Sequence, residues 1–268
     1  MSLTIEGSTG KPFNESLISY LQHFGLDNKQ IKATTARRIQ FSKVVFAMYS
    51  SSNHFGESRY TLHEFRKRFN NTIIYYDLGL HVAQRREVSG VCNLFIRHLN
   101  FSHYPAHVKR LHSYAFKVVI AAEMLRDFDA FWMVDTSAPD FLMGQKVGKQ
   151  LNYTHKGMFE YLPFPGKYHD DVQREAVLFL RRSAVSKTAM KWLLLCALTK
   201  ECIAPPGSTV VCMKKGVSGC HRYDQSASNL IRAMLLRPNP RHFNYLHRCA
   251  KVERGLWRKE PLAKGLCE

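Results

Sequence analysis

Hydrophobic and polar residues alternate in blocks along the first half of the chain. Short apolar runs, rich in β-branched and aromatic residues, each stop at a polar segment, which is the pattern of buried strands. These runs are Lys43–Tyr49, Thr72–Tyr76 and Ala130–Val134. Between them, apolar residues recur at helical spacing over 57–69, 82–98 and 106–126. Strands that alternate with helices predict an α/β fold whose mostly parallel sheet is flanked by helices on both faces.

The second half of the chain is less regular. Ala189–Leu198 predicts a buried helix, and Ser208–Met213 predicts a short strand. Asp224–Leu236 predicts a further helix, which the prolines from Pro238 onward would end. We therefore expect a C-terminal half in which the alternation of strand and helix is lost.

The domain limits follow from where the apolar runs begin and end. Residues 1–40 are polar and predict a lead-in with one helix, Glu15–Phe24. Residues 41–255 predict a single α/β domain, since no Gly/Ser linker or internal repeat divides them. Residues 256–268 would form a C-terminal tail.

Composition and charge narrow the class of partner. Of the 268 residues, 45% are hydrophobic, which excludes an intrinsically disordered chain. No apolar run reaches the roughly 18 to 20 residues that a transmembrane helix needs, so none is expected here. A net charge of +18 favours anionic partners such as phosphates, nucleotides or nucleic acid. We rank nucleic acid last, because no zinc finger, basic zipper or RNP-type strand is present.

Cysteines and glycosylation triplets bear on the cellular compartment. Most of the seven cysteines lie late in the chain, and no Cys-x-x-Cys pair indicates a zinc ribbon. Four Asn-x-Ser/Thr triplets begin at Asn14, Asn70, Asn100 and Asn152. Two alternatives stay open: a Golgi, ER or secreted protein with paired cysteines, or a cytoplasmic protein with buried thiols. Met1–Gln30 holds no apolar signal segment, so the first alternative requires a signal or anchor outside this chain.

Polar residues follow three of the predicted strands directly. They form the segments Ser50–His54, Asp77–Leu80 and Asp135–Ser137. In open α/β sheets ligands bind beyond the carboxyl ends of the strands, where an Asp can hold a ribose hydroxyl or a divalent cation. The alternative is that each Asp caps the following helix.

Gly219–Asn229 is the densest polar segment and precedes the last predicted helix. A helix N-terminus attracts anions, and Asp224 would lie near its unpaired amides. The simpler interpretation makes Asp224 an N-cap. His221, with His242 and His247, could bind a metal, although a single histidine is more often structural.

Seven segments in this order carry a family resemblance: Ser50–Phe55, Tyr76–Leu80, Tyr104–Lys109, Tyr114–Lys117, Phe131–Ser137, Cys196–Pro206 and Cys220–Ser226. Together they resemble an uncharacterised protein family expanded in nematodes. That family in turn is similar to GT-A-type glycosyltransferases. The resemblance covers residues 40–255 and implies a GT-A-like fold.

The resemblance also implies roles for individual residues. The nucleotide would lie beside Ser51, Ser52, Asn53, Asp77 and Gly79, and Lys117 would face its diphosphate. Mn²⁺ or Mg²⁺ would bind at Asp135, Ser137 and His247. Asp224 and Gln225 would lie beside the acceptor and the transferred sugar, as the catalytic residues.

Two departures from the family pattern affect what we expect. Asp135-Thr-Ser137 lacks the second acid of the usual Asp-x-Asp motif, and Val118 replaces the proline expected after Lys117. The expected function is transfer of a hexose from a nucleotide sugar to a glycan or glycoprotein acceptor. The alternatives are a non-catalytic relative that binds glycan or nucleotide and, last, a basic nucleic-acid-binding protein.

Overall fold

A computed structural model describes residues 1–27, 39–135, 145–164, 171–174, 177–212 and 219–236. In these residues the strands are β1 (Thr4–Ile5), β2 (Ser8–Thr9), β3 (Val45–Ser50), β4 (Ile73–Asp77), β5 (Leu94–His98), β6 (Ala130–Val134), β7 (Gln145–Lys149), β8 (Asp171–Arg174) and β9 (Val177–Arg181). The helices are α1 (Ile18–His23), α2 (Phe55–Arg68), α3 (Val82–Ser89), α4 (Ala115–Asp127), α5 (Gln150–Tyr153), α6 (Lys156–Phe159), α7 (Ala184–Leu198), α8 (Lys200–Ile203) and α9 (Tyr223–Leu236).

The central sheet has five strands in the order β5-β4-β3-β6-β9. The pairs β3–β4, β4–β5 and β3–β6 are parallel, and β9 is antiparallel to β6. The strand pairs β1–β2 and β7–β8 form two small antiparallel sheets. The expected mostly parallel α/β sheet is therefore confirmed, and so are the three predicted strands at its centre.

Both faces of the sheet are covered, which explains the uninterrupted apolar sequence of β3. All six residues of β3 are buried. Val45 and Tyr49 face a main core that includes α4, α7 and α9, whereas Phe46 and Met48 face a second core with α2 and α3. A strand with helices packed on both faces has no solvent-exposed face, so its residues need not alternate between apolar and polar.

The path of the chain creates a switch point at the carboxyl edge of the sheet. From β3 the chain moves outward through β4 to β5, and then returns to place β6 on the other side of β3. The next strands of this sheet along the chain, β4 after β3 and β9 after β6, therefore lie on opposite sides. In open α/β sheets a crevice opens at such a point, beyond the carboxyl ends of the two strands.

Three predicted elements differ from the structure. The helix predicted over 82–98 is wrong after Ser89, because α3 ends there and β5 follows. In β5, Leu94 and Ile96 pack on the second core while Phe95 is 60% exposed, which is the alternation of a strand. The apolar residues of 82–98 also fit a helical spacing, and the prediction followed that spacing.

The other two differences are a late helix start and a strand that is reduced to one bridge. The helix predicted over 106–126 begins only at Ala115, because Tyr114 adopts a left-handed conformation with φ 54°. Of the strand predicted at Ser208–Met213, residues 208–212 are described, and there only Thr209 forms a bridge, with Cys220. The helices predicted at 57–69, 189–198 and 224–236 are confirmed as α2, α7 and α9.

The N-terminal segment packs onto the main core. The helix predicted at Glu15–Phe24 is confirmed as a 3-10 turn, Glu15–Leu17, that continues into α1. Six apolar side chains of the segment are buried there: Leu3, Phe13, Leu17, Leu21, Phe24 and Leu26. The limits drawn at 41 and 255 stay predictions, and the tail 256–268 lies outside the described residues.

Two disulfides close short loops in the second half. Cys196–Cys202 joins the end of α7 to α8, and Cys212–Cys220 joins the two sides of the segment before α9. Cys92 is disulfide-bonded as well. Among the described helices, none has the length and apolar character needed to cross a membrane.

We predict that Leu21→Ala destabilises the whole domain, because Leu21 is 1% exposed within the main core. Removing a buried leucine side chain costs about 2–5 kcal/mol. The free energy of unfolding measured in urea would show this loss. The exposed Ser19→Ala on the same helix is the control. Equal stability of the two variants would show that the N-terminal segment folds apart from the core.

Candidate functional site

A small pocket lies at the switch point between β3 and β6. Tyr49 reaches it from β3, Asp135 follows β6 directly, and Lys117 comes from the first turn of α4. Asp224 and Gln225 enter from the first turn of α9. The cavity volume is about 30 Å³, which accommodates about two water molecules. The pocket therefore holds charged groups rather than a whole nucleotide.

Lys117 forms an ion pair with Asp135 at the centre of this pocket. Its Nζ donates a hydrogen bond to Oδ2 of Asp135 at 2.7 Å, and the lysine side chain is 8% exposed. The same Nζ lies 5.4 Å from the ring centroid of Tyr49 and 5.0 Å from that of Tyr114. The ammonium is thus held by one carboxylate and two aromatic faces.

The electrostatics of the pocket keep Lys117 charged. Burial alone would lower the pKa of Lys117, but the negative charges of Asp135 and Asp224 hold it well above its ordinary value. Burial raises the pKa of Tyr49 beyond its ordinary range, and the nearby Asp135 raises it further. The pocket therefore contains a permanent cation next to a neutral phenol.

Two tyrosines beside the pocket have left-handed backbone conformations. Tyr114 precedes α4 with φ 54°, and Tyr223 begins α9 with φ 43°. Their ring centroids lie 5.8 Å apart. A left-handed conformation costs a residue with a side chain roughly 1–2 kcal/mol, and such strain concentrates at functional sites. Neither tyrosine was predicted as a site residue, although both lie in segments that carry the resemblance, Tyr114–Lys117 and Cys220–Ser226.

The first turn of α9 lies at the pocket. Asp224 is the second residue of α9, so it is a first-turn residue and the N-cap interpretation is wrong. The Oε1 atom of Gln225 is buried and accepts no hydrogen bond from the described part of the chain. These two residues, expected as catalytic, therefore share one pocket with Lys117 and Asp135.

The residues expected to hold the nucleotide lie in two loops at the same edge. Ser51 Oγ donates to Asn53 Oδ1 at 2.6 Å, and the Ser52 amide donates to the Gly79 carbonyl at 3.2 Å. Because Ser50 pairs with Asp77 in the β3–β4 register, the loops after β3 and β4 are adjacent. Together they form a polar rim next to the pocket.

Asp77 stabilises the turn that carries Gly79. Its Oδ1 accepts hydrogen bonds from the amides of Gly79 and Leu80, and Oδ2 accepts one from Arg85 Nε at 2.8 Å. Burial would raise its pKa, but these donors hold it below the ordinary value. Gly79 has φ 117°, where a side chain is strained. The interpretation of Asp77 as a helix cap is wrong, since His81 is the N-cap of α3.

The described residues do not fit a divalent cation. Among them no group of three or more His, Cys, Asp or Glu side chains could hold one. Asp135 Oδ2 is engaged by Lys117, and the other two expected ligands, Ser137 and His247, lie outside the described residues. His221 is also structural: it is buried, burial lowers its pKa to about 4, and its Nε2 bonds the Ile203 carbonyl.

The fold and site define an α/β protein with a charged pocket at a topological switch point. Comparison with protein families matches residues 4–122 to DUF1647, a family described as proteins of unknown function. This match agrees with the resemblance to an uncharacterised family. Among curated proteins there is no significant match.

Solved structures that resemble the chain include two glycosyltransferases. The bifunctional glycosyltransferase WbbM has 10% identity and a TM-score of 0.44, and the match covers 73% of this chain and 38% of WbbM. The galactosyltransferase LgtC, in complex with donor and acceptor sugar analogues, has 10% identity and a TM-score of 0.45, with 83% and 92% of the two chains covered. An active-site mutant of LgtC has 11% identity and a TM-score of 0.41, and again 83% and 92% of the two chains are covered.

We predict that the single variant Asp135→Asn is less stable than the double variant that combines Lys117→Met with Asp135→Asn. The single variant leaves a buried ammonium without its carboxylate, which costs about 3–5 kcal/mol for a fully buried pair. Because Asp135 is 25% exposed, we expect the lower end of that range. Urea unfolding of both variants measures the difference.

The exposed pair Lys11–Glu160 provides the matched control, since solvent screens both of its side chains. Glu160→Gln should leave the unfolding free energy unchanged. If Asp135→Asn were equally harmless, Lys117 would not depend on Asp135 in solution.

Proposed function

We propose that this protein binds a nucleotide sugar at the carboxyl edge of β3, β4 and β6 and transfers the hexose to a glycan or glycoprotein acceptor. The observation that carries the proposal is the Lys117–Asp135 pair, a partly buried charged pair at the switch point of an open α/β sheet. The family resemblance of the sequence supports the same type of reaction.

The size of the pocket bears on how a donor would bind. A volume of about 30 Å³ excludes a nucleoside from the pocket itself. In our proposal the base and ribose lie on the polar rim formed by Ser51, Ser52, Asn53 and Gly79. The diphosphate then lies at the mouth of the pocket, within reach of Lys117.

The charges of the pocket match the needs of glycosyl transfer. The departing diphosphate gains negative charge in the transition state, and a fixed cation stabilises it without reorganisation. Lys117 is that cation in the proposal. The acceptor hydroxyl must lose a proton, for which a carboxylate is a suitable base. Asp224 takes this role. The buried Oε1 of Gln225 can accept a hydrogen bond from a hydroxyl of either sugar substrate.

A second candidate function has an observation in its favour. Lys117 is bound on several sides, by Asp135 and by the rings of Tyr49 and Tyr114. Because the carboxylate of Asp135 offsets the charge of Lys117, less positive charge remains to stabilise a departing diphosphate, which favours a site that binds a nucleotide without turning it over. This candidate, a non-catalytic relative, shares the binding site with the first and differs only in the absence of sugar transfer.

We also propose that the protein lies in the secretory pathway and carries N-linked glycans. The asparagines of all four acceptor triplets, Asn14, Asn70, Asn100 and Asn152, are exposed. The disulfides Cys196–Cys202 and Cys212–Cys220 are of a kind that persists in oxidising compartments.

We predict that a uridine or guanosine diphosphate sugar raises the melting temperature of the purified protein. A ligand at about 100 times its Kd stabilises the native state by roughly 2.7 kcal/mol. Lys117→Met should abolish the shift, because the diphosphate loses its cation. Lys43→Met, at an exposed lysine, is the matched control and should retain it.

Release of free sugar or of glycosylated acceptor from the same donor separates the two candidates. Turnover that stops in Asp224→Asn supports the transferase, and binding without turnover supports the non-catalytic relative. If no nucleotide shifts the melting temperature of the wild type, both candidates are wrong.

We predict that protein secreted from eukaryotic cells migrates faster on a gel after treatment with an N-glycosidase. Ser16→Ala removes the acceptor triplet at Asn14 and should eliminate one step of that mobility change. Ser19→Ala, at another exposed serine of the same segment, should eliminate none. Mobility that the glycosidase does not alter would contradict the proposal.

A further inference from the structure

We propose that the ammonium of Lys117 occupies the position beside Asp135 that a divalent cation would take, so that the site binds its anionic ligand without a metal. This inference rests on the proposed function only for the identity of the ligand. The occupancy of Asp135 rests on contacts among described residues.

The geometry at Asp135 leaves little room for a metal beside the ammonium. Lys117 Nζ is 2.7 Å from Oδ2, so this oxygen already has a cation at hydrogen-bonding distance. Mg²⁺ binds a carboxylate oxygen at about 2.0–2.1 Å. A metal on the same oxygen would lie only a few ångströms from the ammonium, where two like charges repel strongly in a poorly solvated pocket.

Lys117 cannot easily leave this position. Its side chain is 8% exposed, and its Nζ contacts the faces of Tyr49 and Tyr114 as well as Asp135. Displacement by a metal would break the ion pair and both cation–π contacts and would leave the ammonium to be solvated elsewhere. The backbone of Lys117 is also fixed, because its amide donates to the Tyr114 carbonyl in the first turn of α4.

Two acids remain in the pocket when the lysine is removed. Asp135 and Asp224 both line the pocket, and both act electrostatically on Lys117. Two carboxylates around one small cavity attract a divalent cation, because such an ion can bind one or two carboxylates and complete its shell with water. The ammonium of Lys117 therefore competes with a metal for these two acids, and its removal should raise the affinity of the pocket for a divalent cation.

The test uses Mn²⁺ alone, followed by the electron paramagnetic resonance signal of the free ion. We expect wild type and Asp135→Asn to bind Mn²⁺ equally weakly, because the ammonium already occupies the position beside Asp135. Lys117→Met should bind at least ten times more tightly. Lys117→Met with Asp135→Asn should return to the wild-type level, and circular dichroism verifies that each variant is folded.

Either of two results would overturn the inference. One is wild-type Mn²⁺ binding that Asp135→Asn weakens, and the other is a folded Lys117→Met protein that gains no affinity for Mn²⁺. Should Asp135→Asn fail to fold, the double variant, which removes both charges, replaces it in the comparison with wild type.

Melting shifts with a nucleoside diphosphate distinguish this inference from the proposed function. Equal shifts in EDTA and in Mn²⁺ support both. A shift that requires Mn²⁺ overturns the inference and leaves the proposed function in place. No shift in either condition refutes the proposed function, whereas the Mn²⁺ measurements still decide the state of Asp135.

Discussion

A buried ammonium at the edge of a covered sheet sets the strongest constraint on this structure. Lys117 is almost entirely withdrawn from water, and an ammonium in that position is stable only with a carboxylate and further favourable contacts. Asp135 must therefore follow β6 directly, and Tyr49 must lie on the neighbouring strand. The beginning of α4 is fixed in turn, since it carries Lys117 over the carboxyl ends of both strands.

The same constraint accounts for the strained beginnings of two helices. Tyr114 turns the chain sharply before α4, so that its ring and the side chain of Lys117, in the first turn of the helix, meet. Tyr223 does the same at the start of α9, and the two rings are in contact. Glycine would adopt these left-handed conformations without strain, but both positions hold an aromatic residue. The ring of Tyr114 is retained because its face contacts the ammonium of Lys117.

The pattern of apolar residues predicted the strands that are buried on both faces, and it failed for a strand that has one buried and one exposed face. The strands β3, β4 and β6 are recognisable because burial on both faces leaves mainly apolar residues in them. In β5, by contrast, Leu94 and Ile96 are packed and Phe95 is exposed. Because the strand has only five residues, this alternation is also compatible with the spacing of apolar residues in a helix. The turn at Tyr114 carries no glycine or proline and gave no signal, because its strain is offset by contacts distant in sequence.

The site shows the same division between local and distant causes. Asp77 and Asp135 look equivalent in sequence, since each follows an apolar strand in the same sheet. Asp77 uses both carboxylate oxygens on its own loop and on Arg85, the fourth residue of the next helix, and so stabilises the turn. Asp135 instead bonds a lysine that lies 18 residues earlier in the chain, across the sheet edge. The packing of α4 against β6, the strand that directly follows it, brings that lysine and carboxylate together, and the place of β6 beside β3 adds the ring of Tyr49.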